Sequence, residues 1–188
     1  MTSPTPISRR GLLSLAGALL TFSLVLPSIA RSDDQQIVST VANATLAVAR
    51  AGGSPSAYKQ LLVRYAAVQG VALFALGRYR SQLPSGQRSQ YVALATDYAA
   101  RMLSRYSKSF AGERFVVKSA QDGIVRGRIV FANGQTSAVD WRVINGHIVD
   151  VNFEGKWLTV QMRDQFTRVL ASSNDFAVLF RFLKAGPR

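Results

Sequence analysis

Asp140, Asp150, Asp97 and His147 are the side chains of this sequence whose types could support acid–base chemistry. Asp140 and Asp150 fall on two runs of alternating hydrophobicity joined by Asn145-Gly146, so a tight hairpin could bring the two carboxyl groups together as a general acid and base. The alternation argues against that use. Val139, Trp141 and Val143 share one face, which puts Asp140 and Arg142 on the other, and both aspartates read as solvated surface acids. His147 directly follows the hairpin turn and reads as exposed. Asp97 sits four residues before Arg101 in a helical pattern, the spacing of an intrahelical ion pair. There is no cysteine, hence no thiol nucleophile, disulfide or thiolate metal site, and a lone histidine does not make an ordinary zinc or iron centre. No nucleophile elbow, phosphate-binding glycine loop or dinucleotide-binding turn occurs. The expectation is a protein that is not an enzyme, with no catalytic residues, no metal and no cofactor.

The elements around these residues follow from periodicity. Ile37, Val41, Ala44 and Val48 predict a helix over 33–51, stopped by Gly52-Gly53, with Ser54 or Ser56 capping the next. Helices are expected over 58–65 and 68–82, then a long one over 87–107 with Tyr91, Leu94, Tyr98, Met102 and Tyr106 on one stripe. The period then changes to two. Asp122-Gly123, Asn133-Gly134 and Asn145-Gly146 each suit a type I′ turn. Phe115 and Val117, then Val125, Ile129 and Phe131, then Val139, Trp141 and Val143, then Val149, Val151 and Phe153 give the inward residues of a four-stranded antiparallel meander. Gly127 in mid-strand signals a bulge that curves the sheet. Helical spacing returns with Leu158, Met162, Phe166, Val169 and Leu170, and Asn174 is placed to cap a last helix. The fold class is α+β, with N- and C-terminal helices covering one face of a curved sheet in a cone-shaped arrangement.

Residues 1–30 read as an export leader. Arg9 and Arg10 precede an apolar run over 11–26, broken at Pro27, and Ser28-Ile29-Ala30 supplies a small-x-small cleavage pattern. Ser8-Arg9-Arg10-Gly11-Leu12-Leu13 fits twin-arginine export, with a general secretory leader as the alternative. The run is too short for a bilayer span. A single domain is expected over 31–188, in the periplasm. The formal charge is +13, of which Arg9 and Arg10 leave with the leader. Such a surface suits polyanions. Outside the cytoplasm these are anionic lipid headgroups or acidic partners, not nucleic acid. The basic residues are dispersed, so a plain solvated surface accounts for them as well as a docking patch does.

Several segments together resemble one family. Leu76-Gly77-Arg78-Tyr79-Arg80, Gln87-Arg88 and the helix from Tyr91 to Tyr106 are followed by Val139-Asp140-Trp141-Arg142, Ile148-Val149-Asp150-Val151, Phe153-Glu154-Gly155, Arg163 and Phe166. In this order, over 58–183, they resemble the MlaC family, the toluene-tolerance auxiliary proteins of lipid ABC transporters. The chain departs from that pattern at Arg64-Tyr65 and at Lys156-Trp157, and Trp157 is expected to narrow the mouth of a pocket. The resemblance implies a monomeric periplasmic phospholipid carrier with transient membrane-surface contact. Its partners would be an inner-membrane ABC transporter bearing an MCE ring and an outer-membrane lipoprotein complex. Acyl chains between sheet and helices would meet Val68, Tyr91, Leu94, Tyr98, Met102, Phe115, Val117, Ile129, Phe131, Val139, Trp141, Val151 and Phe166. Arg78, Arg80, Arg101 and Arg105 are candidates for headgroup or docking contacts. Three alternatives stand beside this: a hopanoid-associated protein of the related HpnM group, a small enzyme on a similar cone, and a docking adaptor with a filled interior.

Overall fold

The computed structural model describes residues 29–187. Residues 1–28, all but the last two positions of the leader expected over 1–30, lie outside them. Six helices and five strands follow in the order α1 (Ile29–Arg50), α2 (Pro55–Tyr65), α3 (Val68–Ala75), α4 (Arg88–Tyr106), β1 (Arg114–Gln121), β2 (Ile124–Val130), β3 (Thr136–Ile144), β4 (His147–Phe153), β5 (Lys156–Trp157), α5 (Leu158–Ser173) and α6 (Phe176–Ala185). The strands pair sequentially and antiparallel. No helix among the described residues is long and apolar enough to cross a membrane.

The meander is five-stranded, not four-stranded. The additional hairpin turns on Glu154-Gly155, both left-handed at φ 51° and 82°, and leads into the two-residue β5. Glutamate is an unusual first residue for a type I′ turn, which hid the hairpin. Asp122-Gly123 and Asn145-Gly146 do form turns with both residues at positive φ. Asn133-Gly134 does not. Only Gly134 is left-handed, and the wider loop closes through the Phe131 N–H on Gln135 O and the Gly134 N–H on Phe131 O.

Two register irregularities refine the expected faces. The bulge lies not at Gly127 but opposite it, where Lys118 is the extra residue between Val117 and Ser119 of β1. Gly127 has a different task. A β-carbon there would overlap the Phe115 ring and sit 2.7 Å from the Val116 carbonyl oxygen. The glycine thus lets Phe115 lie across β2 and meet Trp141 edge-on at 6.2 Å. Gly127→Ala is expected to lower unfolding free energy by about 2 kcal/mol, as overpacking does, and urea denaturation checks it. The second bulge leaves Val149 without a partner, so Ile148, not Val149, fills the inward position across from Val143.

Two apolar clusters divide the interior. The helical one joins α3, α4, α5 and α6 around Tyr91, Tyr98, Met162, Phe166 and Leu179. The sheet cluster packs α1 and α2 over β1–β4. The buried stripe of α1 runs through Val38, Val41, Ala42, Leu46 and Ala49, with Ile37 and Val48 at its edge. Ser54 caps α2 by accepting from the Ala57 N–H, and Pro55 opens its first turn. The α2–α3 junction is pinned to the sheet by the Ala67 N–H on Ile148 O at 2.9 Å. Asn174 ends α5 in the left-handed conformation, and Asp175 caps α6 through the Ala177 N–H.

Candidate lipid site

The sheet cluster is not completely filled. Between α1–α2 and the inner face of the sheet lies a cavity of about 110 Å³. One wall is Val41, Ala42, Thr45 and Leu46 of α1 with Tyr58, Leu61, Leu62 and Tyr65 of α2. The facing wall is Phe115, Ile129, Val139, Trp141, Ile148, Val151 and Phe153. Alternation along twisted strands delivers these side chains to one side, and the helical stripes of α1 and α2 deliver theirs.

A second, open space of about 280 Å³ adjoins it. Leu103, Phe110, Val151, Phe153 and Leu158 line both, so these five side chains stand between cavity and opening and would form the neck that joins them. Phe110 stands edge-on to Phe153 at 6.0 Å and to Tyr58 at 6.1 Å. The outer space, a vestibule, adds Met102, Tyr106, Ser109, Glu154, Lys156 and Gln161. Polarity therefore rises from a hydrocarbon interior to a rim with one cation, one anion and several uncharged hydrogen-bonding groups.

The titratable groups singled out from the sequence are not brought together among the described residues. Burial pushes the Tyr58 phenol up to about 12, so it remains a protonated donor. Asp140 is half-buried on the outer sheet face, across from Arg126 and Asn152. His147 is exposed and its Nδ1 lies 2.9 Å from the Asn145 carbonyl oxygen. Asp150 departs from expectation: it is buried, not solvated. Its Oδ1 accepts from the Thr159 and Val151 N–H groups at 3.0 and 2.9 Å, and its Oδ2 from the Thr159 hydroxyl. It caps α5 from the neighbouring strand, a structural role. Among the described residues no cluster of three metal-ligating side chains occurs.

This architecture, an apolar cavity with a polar rim between a curved meander and helices, coincides with a family assignment. The family model described as MlaC protein matches residues 35–185. The chain belongs to the MlaC family. A solved structure of a phospholipid-binding protein from Ralstonia solanacearum, in complex with a phospholipid, is similar to this MlaC protein at 26% identity and a TM-score of 0.64, covering 81% of this chain and 96% of that one. No curated protein matches the sequence.

Within this MlaC fold the residues singled out from sequence separate into groups. Phe115, Ile129, Val139, Trp141 and Val151 line the cavity. Met102 lines the vestibule. Tyr91, Tyr98 and Phe166 lie in the helical cluster with Leu94 packed against it, where Tyr91 donates to Ala72 O at 2.7 Å and Tyr98 to Gln165. Val117 and Phe131 are half-buried against the sheet cluster without reaching the cavity lining. Val68 borders a small space between α2, α3 and α4. The helical wall contributed by α1 and α2 was missed. Its signal was present in the Val41, Leu46, Leu61 and Leu62 spacing, which does not say which core a stripe faces.

The arginines disperse similarly. Arg101 and Arg105 donate to the Leu183 and Pro187 carbonyl oxygens at the C-terminal end of α6, where cations oppose the helix dipole. Asp97 pairs across helices with Lys59 at 2.6 Å, while Arg101 is directed to α6. Arg78 borders a surface groove with Arg163 and Arg168 that shares no residue with the cavity, and Arg80 is exposed. Trp157 stands on the outer sheet face beneath the Arg142 guanidinium, 4.6 Å from its ring centre, and lines neither cavity nor vestibule. It does not narrow the mouth.

Proposed function

We propose that this protein is an exported, periplasmic carrier of phospholipid with no catalytic role. Acyl chains enter between the sheet and α1–α2, and the headgroup stays in the vestibule near Lys156, Glu154 and Gln161. The carrier exchanges its cargo with an inner-membrane MCE-type ABC transporter and an outer-membrane lipoprotein complex, and residues 1–30 direct it there by the twin-arginine route. The observation that carries this reading is an apolar cavity set directly against a polar vestibule, with five side chains lining both, in a chain of the MlaC family. The basic surface favours brief contact with anionic membranes.

Burial of a methylene contributes about 0.8 kcal/mol, so a long acyl chain supplies a large driving force without any specific contact. The cavity volume of about 110 Å³ is smaller than the ~150 Å³ that accommodates one benzene. This is therefore the closed form, and loading separates α1–α2 from the sheet.

Mass spectrometry of the protein purified gently from its native compartment tests the proposal. Near-stoichiometric phospholipid is expected. A bound hopanoid would redirect the function to the related group, and a folded protein without lipid would leave only a docking role.

A further inference from the structure

Two buried hydrogen-bond donors of the cavity wall have no acceptor. The phenolic Oη of Tyr58 and the indole Nε1 of Trp141 are both buried and unpartnered. Native proteins pair almost all such groups, because an unpaired one keeps its full desolvation penalty. Both residues line the cavity, from opposite walls: Tyr58 on α2 and Trp141 on β3. Both also adjoin the neck. Tyr58 meets the neck residue Phe110 edge-on, and Trp141 pairs directly across from the neck residue Val151. Neither lines the vestibule, so both side chains belong to the cavity side of those neck residues. A lone water would find few further partners among the Leu, Val and Phe side chains there.

A lipid with its headgroup in the vestibule and its chains in the cavity places its ester linkages at this depth. An ester carbonyl accepts hydrogen bonds and has no proton to donate, which matches two donors. We infer that Tyr58 and Trp141 donate to the ester carbonyl oxygens of the bound lipid. The site then selects acyl-ester lipids over ether-linked lipids and over polycyclic hydrocarbons. This rests on the carrier reading and adds the linkage chemistry to it.

The test equilibrates delipidated protein with vesicles of equimolar dioleoyl phosphatidylcholine and its diether analogue, then quantifies bound lipid by mass spectrometry. Wild type is expected to retain the ester form over the ether by about five- to thirtyfold, the range of one to two neutral hydrogen bonds. Tyr58→Phe and Trp141→Phe should each move that ratio toward one. Lipid-free Tyr58→Phe should melt no lower than wild type, since it loses only an unpaired hydroxyl. Equal retention of both lipids by wild type, or a ratio that neither variant moves, overturns the inference and leaves the carrier reading intact. Uptake of neither lipid by wild type overturns the carrier reading and this inference with it. Should Trp141→Phe fail to fold, the Tyr58→Phe ratio alone decides.

Discussion

Replacing Val151 by aspartate is expected to lower retained lipid by more than about tenfold while the lipid-free protein stays folded, because an ionised carboxylate is strongly excluded from hydrocarbon. Val151 is only half-buried and borders both the cavity and the vestibule. In the closed form a carboxylate there reaches vestibule water. With a lipid loaded, its linkage region and first methylenes fill the neck on one side and Trp141 stands on the other, which cuts the carboxylate off from water, so the penalty falls on the loaded state. Val139→Asp would not separate the two effects. Val139 is 3% exposed, and its replacement puts the charge into the core of the empty protein as well. Ile144→Asp is the matched control, since Ile144 is 54% exposed at the end of β3 and should tolerate the charge in both states. Phosphate analysis of extracted lipid, alongside circular-dichroism melting, reads both quantities. Normal lipid content in a folded Val151→Asp protein would show that cargo does not pass the neck.

The strands were legible because a half-buried sheet imposes a period of two on its sequence, and Asp122-Gly123 and Asn145-Gly146 announce their turns chemically. Val149 misled because a bulge shifts the phase within a strand, and nothing local in Ile148-Val149-Asp150 marks it. Tyr91 and Tyr98 misled differently. Their stripe is real, but periodicity identifies an apolar face without naming its partner, and here the partner is α5 and α6 instead of the sheet. The cavity depends on how far α1–α2 stand from β1–β4, a tertiary distance that no spacing encodes. Trp157 read as a pocket residue from its place at the start of a helix. Its pairing with Asn152 across the Glu154-Gly155 hairpin sends it to the outer face.

Asp150 joins stability to the site, and its removal should be costly. Asp150→Ala deletes a carboxylate that accepts from three donors and leaves the Thr159 N–H and hydroxyl unpaired in a buried place. With hydrogen bonds to charged groups contributing about 1.5–3 kcal/mol each and partial relaxation, a loss of about 3 kcal/mol is expected by urea denaturation. Asp150→Asn keeps an acceptor for the amides and should lose less. The pH dependence distinguishes a desolvated carboxylate from a simple cap. Burial raises the Asp150 pKa above 3.8, against the opposing pull of the Thr159 hydroxyl, the Thr159 and Val151 amides and Arg142. The native state therefore holds this proton to higher pH than the unfolded chain does. As pH rises from 3.8 through the folded value, wild type should lose stability relative to Asp150→Asn, with a constant difference beyond either end of that window. A difference that grows in favour of wild type with rising pH would mean that the hydrogen bonds outweigh desolvation. The consequence reaches the neck, because Thr159 follows Leu158, which lines both cavity and vestibule. An uncapped first turn of α5 releases Leu158, so Asp150→Ala should also retain lipid less tightly than its residual stability alone would predict.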